Sequence, residues 1–295
     1  MTDTPAPPDV AADRPADGGP RRPSAMTGVA IVLRWELVKL LATWRVRVTL
    51  ALCLAGPFAF VTLLTLQEQL PQDTLYGRWV KETGLATPLV VLGFVGQWVL
   101  PLVAGVVAGD VLSAEDHHGT WRMLLTRSRT RGEVFAGKAT AAAVVTVTAV
   151  VLVATASLAA GALVVGTQPL TGLSGTMLPA GEAALLVVAS WASVLPPALG
   201  FAGLALLLST VTRNSVAGVA GPVLIGLVMQ LYAFLGRSDV LGHLLLTAQV
   251  QAWHGFLARP AFLRPLAEDV VVGLGYGIAC VALAWAVFRG RDEVG

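Results

Sequence analysis

Charge is scarce in this chain. Asp, Glu, Lys and Arg make up 13% of its 295 residues, against about 25% in soluble globular proteins. The deficit excludes an ordinary water-soluble domain. It fits a polytopic membrane protein, because each helix crossing a bilayer takes about 20 mainly apolar residues. Cysteine is scarcer still: Cys53 and Cys280 both fall in apolar runs, where a thiol acts as a small hydrophobe, so neither a disulfide framework nor a zinc set exists. A net charge of +2 implies no polyelectrolyte partner, so nucleic acid is not expected. No Ser/His/Asp set with a nucleophile-elbow sequence and no intramembrane carboxylate pair appears, so an enzyme is not indicated.

What is present is apolar sequence: 55% of the residues are hydrophobic and the mean hydropathy is +0.73. Six segments qualify as membrane spans: Val46 to Leu66, Pro88 to Leu112, Ala139 to Gly166, Glu182 to Val211, Ser215 to Leu235 and Asp269 to Phe288. The third and fourth exceed the hydrocarbon thickness and must tilt, kink or project beyond it. Pro196-Pro197 near the middle of the fourth predicts a bend, since each proline removes a backbone bond and clashes with the preceding turn. That bend is either a tolerated kink or a hinge. Gly105-x-x-x-Gly109 and Gly273-x-x-x-Gly277 have the spacing that permits close helix contact.

Lys and Arg give the orientation. Arg78, Lys81, Arg237, Arg259 and Arg264 fall on one side of the six spans, leaving 15 of the 20 basic residues on the other. The positive-inside rule then assigns both termini, the 113–138 loop and the turn at Arg213-Asn214 to the cytoplasm. The first 25 residues, rich in Pro, Ala, Asp and Arg, lack the apolar region of a signal peptide and the surface needed to order themselves. They read as a disordered cytoplasmic tail, with Met26 an alternative start.

Two flanking segments are neither spans nor solvated loops. From Val29 to Trp44, Val29, Leu33, Leu37, Leu40, Leu41 and Trp44 recur at helical spacing, with Arg34 and Lys39 on the other side. This predicts an amphipathic helix in the cytoplasmic interface. The last external loop, Gly236 to Glu268, holds Leu241, Leu245, Trp253 and Phe256 but is interrupted by Arg259, Pro260, Arg264 and Pro265. A short re-entrant or interfacial helical pair is expected there.

Few residues are candidates for chemistry. Gly132 to Ala139 nearly spells a P-loop, but Ala139 replaces the hydroxyl that would hold magnesium, and a membrane span follows where a soluble sheet domain is needed. Lys138 reads instead as an interface anchor. His117 and His118 are adjacent, whereas helical metal ligands favour one face at i, i+4, and His243 and His254 fall on the opposite side of the membrane. No metal site is expected. Gln97 is the clearest intramembrane polar side chain; it serves either a transport path or a hydrogen bond between helices. Asp110 and Glu182 sit near the interfaces.

The 113–138 segment is the sizeable polar element expected to face the cytoplasm. Its Glu115, Gly119-Thr120-Trp121-Arg122, Leu124-Leu125-Thr126, Arg131 and Gly137-Lys138 resemble the cytoplasmic motif of ABC type-2 (ABC-2) transporter permease subunits. The likeness in layout covers residues 26–295: interfacial helix, six spans, re-entrant final external loop. It implies an all-α, polytopic permease subunit of a bacterial plasma-membrane exporter that carries no cofactor of its own. It implies a second permease subunit, in a homo- or heterodimer, and a separate ATPase that binds the ATP. Glu115, Gly119, Thr120, Trp121 and Arg122 would form the element docking on that ATPase. His117 and His118 occupy a variable position of the motif and receive no role. Two rival readings are an ion-coupled secondary transporter, for which the sequence shows no repeat, and a non-transport membrane scaffold or immunity protein.

Overall fold

The computed structural model describes residues 25–67, 75–113, 115, 130–235 and 240–290. Helix α1 (Ala25–Ala42) is followed at once by α2 (Trp44–Leu66). Thr43 between them is extended, at φ −72° and ψ 125°, so α1 is a separate helix and not a straight continuation of the first span. The second span comprises α3 (Thr87–Phe94), a wide π-helical turn (Val95–Val99) and α4 (Leu100–Ala108). The third is α5 (Arg131–Val164). The fourth is α6 (Ala180–Ala192) with α7 (Leu195–Thr212), and the fifth is α8 (Ser215–Phe234). Three short helices, α9 (Val240–His243), α10 (Leu246–Gln249) and α11 (His254–Leu257), precede the sixth span, α12 (Arg264–Arg289). Among the described residues, six stretches are thus long and apolar enough to cross a membrane.

Local chemistry moves several boundaries from their expected places. The third span begins at Arg131 rather than Ala139, because Thr130 and Glu133 form a capping box: the Thr130 hydroxyl accepts from the Glu133 N–H at 3.2 Å and the Glu133 carboxylate from the Thr130 N–H at 3.1 Å. The P-loop-like stretch from Gly132 to Lys138 is therefore the start of a helix. At about 1.5 Å per residue, the 34 residues of α5 make roughly 50 Å, well beyond the ~30 Å hydrocarbon core. Pro196 and Pro197 do not kink a continuous helix. Span four breaks at Ser193-Val194, and the prolines lie in the first turn of α7, where a missing N–H costs no helical bond. Gly273 of α12 backs directly onto Pro196-Pro197, so one of the two small-residue pairs seats this break.

Spans two, three and four form the core. Their apolar windows are 56, 50 and 61% buried, against 22, 17 and 17% for spans one, five and six. The outer three present apolar surface that lipid or another subunit must cover. One end of the bundle gathers the start of α2, the end of α4, the starts of α5 and α8, and the end of α12; it is rich in Lys and Arg and is called the basic end below. At the opposite, far end the loops pack on one another. Among the described residues, a small hairpin, β1 (Leu170–Thr171) against β2 (Met177–Leu178), supplies the strands. The Leu173 N–H donates to the Leu257 carbonyl at 2.8 Å, which joins the hairpin to α11. Glu182, in the first turn of α6, pairs with Arg259. Where a re-entrant or interfacial helical pair was expected, the described residues of the last loop form three short helices, in which Leu246, Val250, Trp253 and Leu257 are each 2% exposed or less.

Candidate functional site

Helix α1 buries a face slightly rotated from the one its hydrophobic pattern favours. Val32, Glu36 and Leu40, four residues apart, point inward and pack the helix on α5, while Trp35 and Leu41 remain exposed. Glu36 therefore brings a carboxylate into a protein interior. On α5, Lys138 lies among Val134, Phe135 and Ala141, all buried, and is itself 0% exposed. The two side chains meet: Lys138 Nζ donates to Glu36 Oε1 at 2.7 Å.

That pair belongs to a larger cluster. Lys138 Nζ also donates to Glu115 Oε1 at 3.0 Å and to the Val111 carbonyl at 3.1 Å. Three acceptors thus surround an ammonium that has three N–H donors. Lys39, half exposed on α1, donates to the same Glu115 oxygen. Among the described residues, two carboxylates thus meet two ammoniums. Burying one ion unpaired costs several kcal/mol, which only close pairing and added hydrogen bonds offset. Lys138 is consequently a buried structural cation and not the interface anchor expected from its place in the sequence.

The cluster matters for where its members sit. Glu115 lies at the point where the chain leaves span two, and Lys138 lies in the helix by which it returns. Immediately before Glu115, Asp110 accepts from the Ser215 hydroxyl at the start of α8 and lies 3.6 Å from Arg45 at the start of α2. Gly109 meets Gly218 of α8 so closely that a Cβ on either would strike the other's backbone. Gly109, Asp110, Val111 and Glu115 thereby touch α1, α2, α5 and α8 between them.

The sequence-derived site residues are distributed as follows. Glu115 is 5% exposed and turned inward to Lys138 and Lys39. Gly119, Thr120, Trp121 and Arg122, with His117 and His118, lie outside the described residues. Gln97 sits in the middle of the π-helical turn and lines a far-end cavity of about 370 Å³ with Tyr76, Trp253 and His254. Burial pushes the Tyr76 phenol up to about 12 and the His254 imidazole below its ordinary value. Among the described residues, no group of three or more His, Cys, Asp or Glu is placed to hold a metal. Sequence reasoning missed Glu36, although an acidic residue on the Val32–Leu40 line was a readable sign of a buried partner.

No curated protein matches the chain. Residues 57–267, more than half of it, match the family described as ABC-2 family transporter protein. With six helices able to cross a membrane, the chain belongs to the ABC-2 transporter family and is its non-catalytic, multi-pass membrane permease, a subunit type that implies an ATPase partner.

Proposed function

We propose that this chain is the permease subunit of a bacterial exporter. Residues 26–295 form the transport domain behind a cytoplasmic tail at 1–25, and both termini and the 113–138 segment face the cytoplasm. A second permease subunit completes the pathway along the apolar faces of the peripheral spans. A separate ATPase holds the ATP and grips the 113–138 segment, with Gly119, Thr120, Trp121 and Arg122 as the docking surface. Trp121 fills an apolar pocket and Arg122 pairs with an acidic rim, both common interface anchors. Glu115 serves differently, as the anchor that fixes the segment to the membrane helices.

The observation that carries this reading is the meeting of Glu115 and Lys138, 3.0 Å apart at the two ends of the segment. A partner can drive a conformational change only by binding two states differently. A docked ATPase that shifts this segment would move both ends, and through residues 109–115 the four helices they touch. The test is reconstitution with a candidate ABC ATPase subunit. Trp121→Ala with Arg122→Ala should abolish transport-linked ATP hydrolysis while membrane insertion and permease assembly stay intact. Unchanged stimulation of hydrolysis by that variant, or external labelling of a cysteine placed at Ser128, would overturn the reading.

A further inference from the structure

Spans one and two do not close on each other along their whole length. A groove runs between them, walled by α2 from Thr49 to Phe60 and by span two from Val91 to Val106, with Val153 of α5 behind. Cys53, Val91 and Val153 are buried at its floor, while Leu52, Phe94 and Leu102 stand exposed at its rims. Among the described residues the lining is apolar except at Thr49, whose hydroxyl is turned to the Arg45 carbonyl of its own helix. Gly56 opens onto the groove, since a Cβ there would meet nothing within 4 Å.

The dimensions suit one extended hydrocarbon chain. From Thr49 to Phe60 the groove follows α2 for ~16 Å at ~1.5 Å per residue. That is about the half of the ~30 Å hydrocarbon core that one leaflet supplies. A volume of about 340 Å³ over that length leaves a cross-section of roughly 20 Å². An α-helix of a second subunit, ~10 Å across, does not enter it.

At the basic end the groove runs into a charged mouth. Val106 also borders a recess of about 930 Å³ that is lined by Arg45, Asp110 and Arg213. Arg45 lies one turn before Thr49 and meets Asp110 through one nitrogen at 3.6 Å. A guanidinium has five N–H donors, so Arg45 can serve a further acceptor. Arg213 ends α7 in the left-handed conformation, at φ 53° and ψ 26°, where glycine or asparagine is the ordinary choice. Its exposed side chain fronts the same recess. The start of α8 at Ser215 adds the positive end of a 20-residue helix.

Anions are fewer there than cations. Asp110 is the one carboxylate in this lining among the described residues, and Arg45 and the Ser215 hydroxyl engage it. By sequence, the 116–129 stretch that follows Glu115 holds Arg122, Arg127 and Arg129 against Asp116. Guanidinium groups bind phosphate oxygens strongly and with matched geometry.

We propose that the groove and its mouth bind one anionic phospholipid of the leaflet at the basic end. One acyl chain lies between spans one and two, and Arg45 and Arg213 hold the phosphate. A zwitterionic lipid offers the same chain, but its headgroup brings a cation towards two guanidiniums, so charge selects between them. Binding needs no ATPase and stands apart from the coupling reading.

The experiment uses the full chain in phosphatidylcholine nanodiscs without ATPase. The probe is phosphatidylglycerol with a diazirine in one acyl chain, compared with phosphatidylcholine carrying the same chain. The phosphatidylglycerol probe should label peptides within Leu52–Phe60 or Val91–Val106 at least fivefold more than its comparison. Arg45→Gln with Arg213→Gln should bring the two probes level, whereas Arg45→Lys with Arg213→Lys should keep most of the preference. Gly56→Phe fills the groove from an open position, and should cut labelling by both probes at least fivefold with an unchanged melting temperature. If that variant does not fold, the smaller Gly56→Leu should cut labelling at least twofold. Equal labelling by both probes, a preference indifferent to the arginines, or labelling indifferent to filling the groove would overturn the proposal. So would disulfide formation between two copies carrying Leu52→Cys, which marks the groove as a contact between chains.

Discussion

Lys138 and Glu36 stand 102 residues apart in sequence and 2.7 Å apart in space, both almost wholly shielded from solvent. Their contact fixes α1 against α5 at the level where the 113–138 segment returns to the bundle. The consequence is mechanical. Helix α1 cannot slide on α5 without exposing or stranding a charge, so the two move as one body or must exchange ion partners.

Removing Lys138 should be among the most damaging single changes in the chain. Lys138→Met would leave Glu36 and Glu115 facing one another without the buried cation that joins them. Losing one partner of a buried ion pair costs about 3–5 kcal/mol. Combining it with Glu36→Gln and Glu115→Gln should recover most of that loss, because the stranded charges go with it. Denaturation in detergent, read as a three-site mutant cycle, checks the non-additivity. Independent, additive effects would show that the cluster is not one unit.

The neighbouring contact at Asp110 should behave in the opposite way. Its Arg45 partner is 63% exposed and 3.6 Å distant, and pairs of this kind contribute about 0–1 kcal/mol. Asp110→Asn keeps an oxygen for the Ser215 hydroxyl, so stability should change by less than ~1 kcal/mol. Transport coupled to hydrolysis should fall if the tie between spans two, one and five matters in the cycle. A large loss of thermal stability would instead place Asp110 among the structural ions.

How far the sequence foretold this arrangement depends on the kind of signal. Apolar runs announced all six spans, because a helix in lipid must be continuously apolar whatever it touches. The apolar yet interrupted stretch from Gly236 to Glu268 announced a re-entrant or interfacial helical segment rather than a solvated loop. Lys138 and Glu36 were illegible as a pair, since hydropathy registers a lone Lys as an end to the membrane and not as a partner for a carboxylate 102 residues away. The capping box at Thr130 and Glu133 was readable locally and would have started α5 in the right place. The wide turn at Val95–Val99 was not foreseen, although Pro101, which has no N–H to donate to the Gln97 carbonyl, marks a disturbance of the helix there.

The contact of Gly109 with Gly218 gives a steric prediction. A Cβ on Gly218 would meet the Gly109 backbone and the Ser209 side chain, so Gly218→Val must push α8 away from α4. Overpacking of this kind costs about 1–3 kcal/mol. Gly56 of α2 provides the control, since nothing lies within 4 Å of a Cβ placed there. Gly56→Ala should be neutral, or stabilising by about 0.5–1 kcal/mol from the helix propensity of alanine. Comparable losses for both substitutions would count against close α4–α8 packing.

Acid should weaken the far end of the bundle through His254. Burial lowers its pKa in the folded protein, below the ~6.5 of a free imidazole. Between those two values the unfolded chain binds the proton more readily than the folded one. Stability therefore rises with pH across that window. The contribution is complete above ~6.5 and is lost as pH falls through the folded value. His254 lies against Trp253 with ring centroids 4.1 Å apart and planes tilted by 60°, so its protonation places a charge in a packed part of the loop and disfavours that packing. Melting temperatures from pH 7.5 down to about 5 should decline more steeply for the wild type than for His254→Gln, which cannot titrate. Proteolysis within the re-entrant loop should accelerate over the same range. Parallel pH profiles for the two proteins would remove His254 from the account and assign the acid sensitivity elsewhere.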